Sequence, residues 1–227
     1  MTALATLAWP DAEQRRDALL AVPLGATEQH GPHLPLCTDT DLAAALCRCL
    51  ARRRDVVVAP AVPYGASGEH AGFAGTLSIG QDALELLLVE LGRSATDTFG
   101  RVLLVNGHGG NVEPVRRAVT RLRAEGRDVL AFSPQWDGDA HAGRVETSLQ
   151  LALRPDHVRL GRVEAGAVAP LTTLLPAMRA GGVRAVSPNG VLGDPRGASA
   201  AEGSRLLGEL ANQLVDAVDR WIVERPA

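Results

Sequence analysis

The sequence predicts an α/β fold: a single domain over residues 1–227, with a mostly parallel β-sheet sandwiched between helices. Two observations carry that expectation. Short apolar runs, polar Gly-containing loops and amphipathic helical stretches alternate through the first two thirds of the chain. Strands that alternate with helices join by right-handed crossovers into a parallel sheet covered on both faces. Composition agrees, since 46% of the residues are hydrophobic but only 3% are aromatic. A core made of Ala, Val and Leu suits buried parallel strands better than an aromatic-rich sandwich.

The elements follow in order. The first strand is expected over residues 18–23, and its loop runs from 24 to about 39. A helix over 40–54 has Leu42, Leu46 and Leu50 four apart on one face. A strand over 56–59 leads into a long loop, 60–79, and then a helix over 81–99 with Leu84, Leu87, Leu88 and Leu91 at helical spacing. The strand 102–105 is followed by the loop NGHGGN and a helix over 112–124, which Gly126 suits as a stop. A strand over 129–133, a polar loop and a helix near 146–153 come next. The Gly-, Pro- and Ser-rich stretch 161–203 has no clear period, and a last helix spans about 200–223.

Several function classes are excluded. A formal net charge of −3 gives no electrostatic reason to bind nucleic acid or an anionic membrane. No stretch approaches the roughly 20 apolar residues of a membrane span. The N-terminus carries Asp11 and Glu13 early, without the basic start and apolar run of a signal peptide. A cytoplasmic location is therefore expected. Cys37, Cys47 and Cys49 are odd in number and lack CxxC spacing, which fits a reducing compartment and packing roles.

The histidines carry the functional signal. All of them except His157 lie in four loops, each after an expected strand. Glu28, His30, His33, Asp39 and Asp41 follow the first strand, and Ser67, Glu69 and His70 the second. His108 follows the third, and His141 with nearby Glu146 follows the fourth. In an open parallel sheet such loops share the carboxyl edge of the strands, where α/β sites form. Glu, His and Asp are oxygen and nitrogen donors suited to zinc, manganese or ferrous iron. Glu28 and His30, two apart, point the same way in extended chain. Asp39 or Asp41 could bridge two ions or merely cap a helix. Spacing leaves His30 and His33 equivalent. The Gly-rich loop around His108 also allows a different class, a phosphate-binding module without catalysis, although NGHGGN is not GxGxxG and no GKS/T follows.

These motifs resemble the creatininase family of metal-dependent amidohydrolases. LGATEQHGPHLPLCTD (24–39) is similar to its first metal motif and VNGHGGN (105–111) to its second. SGEHAGFAGTLSIG (67–80) resembles its substrate-side loop and HAGRVETS (141–148) its fourth element. The resemblance implies a two-metal hydrolase assembled as a homo-oligomer, a hexamer or similar, with two divalent ions (Zn, Fe or Mn). Glu28, His30, Asp39 and His108 match ligands, with Asp39 between the ions. The family's type member has a ligand glutamate where this chain has Gly110, and Glu146 is the candidate to fill that coordination. His141 is the expected proton shuttle, and Ser67, His70 and Trp136 the expected substrate contacts. The segment 181–203, GGVRAVSPNGVLGDPRGASAAEG, resembles members associated with mycofactocin biosynthesis. Those are similar to a peptidase that releases a modified C-terminal Val-Tyr-derived unit from a precursor peptide. The rival expectation within the family is hydrolysis of a cyclic amide or formamide.

Overall fold

Side chains along residues 19–24 alternate between two separate apolar clusters. Leu19 and Ala21 enter one, while Leu20, Val22 and Leu24 enter the other. The two-residue period of a strand thus buries both faces of the sheet.

The computed structural model describes residues 1–224. In chain order the elements are β1 (Thr2–Ala3), α1 (Trp9–Glu13), β2 (Leu19–Leu24), α2 (Thr38–Ala51), β3 (Val56–Val58) and α3 (Gln81–Ala95). Then follow β4 (Arg101–Asn106), α4 (Val112–Ala124), β5 (Val129–Phe132), α5 (Arg144–Leu153), α6 (Leu171–Gly181) and α7 (Ala200–Glu224). The sheet is five-stranded in the order β1-β3-β2-β4-β5, and every pairing is parallel.

One face is covered by α2, α5 and α7 through Leu42, Leu46, Leu50, Leu149, Leu210, Leu214 and Trp221. The other is covered by α3 and α4 through Leu84, Leu88, Val115, Ala118 and Leu122. The Leu42–Leu46–Leu50 stripe read from the sequence is therefore the inner face of α2. Leu87 is not part of the α3 stripe, because it is among the exposed large hydrophobics.

The chain leaves β2 toward β3 on one side and returns to β4 on the other. Loops after β2 and β4 consequently diverge to opposite faces, which opens a crevice at the carboxyl ends of these two central strands. None of the described helices is long and apolar enough to cross a membrane.

Three elements were not expected from the sequence: β1, α1 and α6. Helix α6 contains Pro176 and buries none of its residues. Proline removes an internal donor, and the Leu171, Leu175 and Met178 stripe of α6 faces a cavity and not the core. The helix expected over 81–99 ends at Ala95, where Thr96 turns its hydroxyl back onto the Gly92 carbonyl at 2.7 Å.

Candidate metal centre

The loop after β2 delivers Glu28 and His30, both with no exposed surface. His30 Nδ1 lies 3.2 Å from the Glu28 carbonyl, to which its N–H donates. This fixes the ring and leaves Nε2 facing Asp39 Oδ1 at 3.0 Å. His33, equivalent by spacing, turns the other way and meets Thr147 Oγ1 at 2.8 Å.

Asp39 stands in the first turn of α2 but caps nothing, being 2% exposed and pointed at two histidines. Its Oδ2 lies 3.2 Å from His108 Nδ1. Asp41, two residues on, belongs to a different network, accepting from Arg154 Nη1 at 3.0 Å and from the Cys37 thiol at 3.3 Å. His108 has extended backbone, so its glycine neighbours do not serve a left-handed turn. Gly107 instead permits close approach: a Cβ there would collide with the Asp39 carbonyl oxygen.

Three overlapping groups have their ligand atoms within 4.8 Å of one another: Glu28–Asp39–His108, His30–Asp39–Glu146 and Glu28–His30–His141. Glu146, in the first turn of α5, accepts the Ala142 N–H at 2.6 Å. Ala142 holds a left-handed φ of 52°, unfavourable for a residue with a Cβ, and this bend sets His141 and Glu146 side by side.

Gln29 was not singled out by sequence reasoning, yet it ties the histidines together. Its side-chain N–H groups reach His70 Nδ1 at 2.8 Å and the Gly190 carbonyl at 3.1 Å. Its backbone carbonyl accepts from His141 Nε2 at 2.8 Å. His70 thereby presents Nε2 to Glu28 Oε1 at 3.3 Å. Of the expected substrate contacts, His70 and Trp136 line the cavity over this cluster. Ser67 does not: it is fully buried behind His108, with Oγ 3.5 Å from Nε2.

Electrostatics argue that the cluster is built around cations. Burial raises the Glu28 carboxyl to about 8, with Asp39 adding to the rise, and burial also raises Glu146. Burial opposes charging of His30 and His108, but the Asp39 carboxylate outweighs it and lifts them to about 10 and about 9. The two imidazoliums in turn overcome burial to hold Asp39 well below the usual carboxylate range. Burial, with His30 and His108, lowers His70 to about 3; burial, with His30 and His70, pushes His141 well below 6.5. Both carboxylate oxygens of Glu28 and Oδ2 of Asp39 are buried without a well-aligned hydrogen bond, facing only imidazole nitrogens at 3.2–3.3 Å. Buried carboxylates so poorly satisfied are costly, and divalent cations would satisfy these oxygens and replace the protons on His30 and His108. The donor set fits metal.

Above the cluster opens a cavity of about 680 Å³, within the range of a small-ligand site. Val112, Trp136, Leu171, Leu175, Met178 and Val183 supply its apolar walls. Residues 161–203 therefore fold over this chain's own site, with α6 as a wall and the 190–193 strip bonded to His141 through Leu192 N–H at 2.8 Å. Glu28, Asp39 and Glu146 line this cavity together with His70, His108 and His141, a convergent set of metal donors in place of a backbone cradle for phosphate, and the phosphate-binding alternative gives way.

Fold and site together point to a parallel α/β hydrolase with a candidate carboxylate–imidazole metal centre at the sheet's switch point. The family model described as creatininase, creatinine amidohydrolase, matches residues 5–218. The chain belongs to the creatininase family of metal-dependent amidohydrolases, enzymes that hydrolyse amide C–N bonds. It is 54% identical over 216 residues, 91% of this chain and 87% of the relative, to a mycofactocin precursor peptide peptidase of Mycolicibacterium smegmatis. A manganese creatininase structure has a TM-score of 0.84 at 28% identity, covering 100% of this chain and 99% of that one. A zinc–zinc mutant creatininase has a TM-score of 0.81 at 29% identity, with 99% and 98% covered.

Proposed function

We propose that this hydrolase is a peptidase acting on the mycofactocin precursor peptide, releasing its modified C-terminal Val-Tyr-derived unit. The observation that carries the substrate assignment is the 54% identity, over 91% of the chain, to a peptidase of that name. The cavity agrees, since its apolar walls suit an aromatic, aliphatic peptide end and its floor carries the hydrolytic groups.

Two divalent ions (zinc, iron or manganese) are the proposed cofactors. Glu28 and His108 would hold one and His30 and Glu146 the other, with Asp39 common to both groups. Such ions supply Lewis acidity toward an amide carbonyl and make water nucleophilic near neutral pH. The chain's own residues do the rest. His141, whose Nε2–H is tied to the Gln29 carbonyl, turns Nδ1 toward Glu28 Oε1 at 3.9 Å, where it can take up a proton and deliver it to the leaving nitrogen. His70 and Trp136 contact the substrate, while Ser67 acts from behind His108. Exposed Leu160, Val168 and Leu171 support a homo-oligomer, a hexamer or similar, and the reducing-type cysteine pattern supports a cytoplasmic home.

The test is to incubate the metal-loaded protein with precursor peptide bearing the modified C-terminus and follow the released unit by mass spectrometry. Creatinine, other cyclic amides and formamides run in parallel, because the likeness to creatininase structures favours a small cyclic amide as the second reading. Turnover of a small amide with an intact peptide would transfer the assignment to that reading.

A further inference from the structure

We infer that Glu69, on the loop after β3, supplies the terminal carboxylate to the ion held by Glu28, Asp39 and His108. The sequence puts no side chain at position 110, and the structure explains what occupies that space. A Cβ built on Gly110 would collide with the Ala66 carbonyl oxygen and would stand 2.5 Å from Glu69 Oε1 and 2.5 Å from His108 Nε2. The Glu69 carboxylate thus shares with the Ala66 carbonyl the volume into which a residue at 110 would project, beside the same imidazole. Its Oε1 lies 3.5 Å from His108 Nε2, the nitrogen that also faces Glu28 Oε2 at 3.2 Å.

The surroundings favour a ligand over a surface charge. Glu69 lines the cavity, and its side chain is 33% exposed, so it opens toward the site and not to bulk solvent alone. Its carboxylate has no arginine partner among the described residues; His108 is its one ion-pair partner there. Glu69 sits in the short turn Gly68–His70, braced from outside by Gly182, where a Cβ would meet the Glu69 carbonyl oxygen at 2.8 Å. The neighbouring group already has its own terminal carboxylate in Glu146. Assigning Glu69 to the first group gives that ion two carboxylates of its own, Glu28 and Glu69, besides His108 and the shared Asp39.

This inference rests on the metal-centre reading, and the experiment separates the two. Metal-free parent, Glu69→Gln and Glu69→Asp are titrated with zinc against a chromophoric chelator, and with cobalt(II) for its visible spectrum; circular dichroism checks folding. Loss of an outer-sphere partner alone costs about 10–100-fold in metal affinity, so losing a ligand should cost at least about tenfold at one ion only. The expected result is two ions in the parent, one weakened ion with an altered cobalt spectrum in Glu69→Gln, and partial recovery in Glu69→Asp. Parental affinity for both ions in a folded Glu69→Gln, or in Glu69→Asp and Glu69→Ala should the first misfold, overturns the inference. Weaker binding with an unchanged cobalt spectrum also overturns it, since Glu69 would then act through His108. A parent that binds no metal removes the metal-centre reading itself.

Discussion

Asp39 Oδ1 and His30 Nε2 lie 3.0 Å apart, and neither residue is more than 2% exposed. Because Asp39 also meets His108 through its other oxygen, it is the group common to both halves of the centre.

Asp39→Ala should therefore lose both ions, where a single-ion ligand would lose one. Metal content per chain, by plasma emission, should fall from about two equivalents to well below one. Retention of one full equivalent would show that the carboxylate is not shared.

Asp41→Asn is the matched control. Asp41 pairs with half-exposed Arg154, and such pairs contribute about 0–1 kcal/mol. Metal content and turnover should stay at parental levels, with a small shift in melting temperature.

Metal uptake should release protons, and more readily as pH rises. The raised folded-state values of Glu28 (about 8), His108 (about 9) and His30 (about 10) mean that the metal-free site holds protons at pH 7. Metals require the deprotonated ligands, so apparent affinity climbs between pH 7 and 9. For His30 and His108 the stabilisation of the metal-free fold is full below their ordinary 6.5 and fades as pH passes about 9 to 10. Calorimetry in buffers of different ionisation enthalpy reads the protons; equal enthalpies in all buffers would contradict the assignment.

His141→Ala should lower kcat by about 10²–10⁴ with metal content unchanged. The ring contacts Gln29 and lies tilted against His30 with centroids 4.3 Å apart, so a melting curve must accompany the kinetics. Unaltered kcat in the folded variant would remove the proton-transfer role.

Legibility of the site divides along a physical line. Residues with intrinsic chemistry placed just after apolar runs were readable: Glu28, His30, Asp39, His108, His141 and Glu146 all reach one crevice. The choice between His30 and His33, or between Asp39 and Asp41, was not readable from spacing and came only from the family resemblance, because backbone direction and helix phase decide it. Gln29 escaped notice since an amide has no diagnostic chemistry until it meets partners 41 and 112 residues away. Ser67 looked like a substrate contact because its loop is functional, yet packing behind His108 buries it.

The sequence by itself determined the alternating α/β order, the two-sided burial of β2 and β4 and the inventory of metal-binding side chains. These depend on local periodicity and residue chemistry, which a linear string contains. Tertiary structure alone decided the β1-β3-β2-β4-β5 order that makes the crevice, the folding of α6 over it and the meeting of Glu69 with the space above Gly110. Those are distances between residues far apart in the chain, set by how two apolar faces pack and not by any neighbour in sequence.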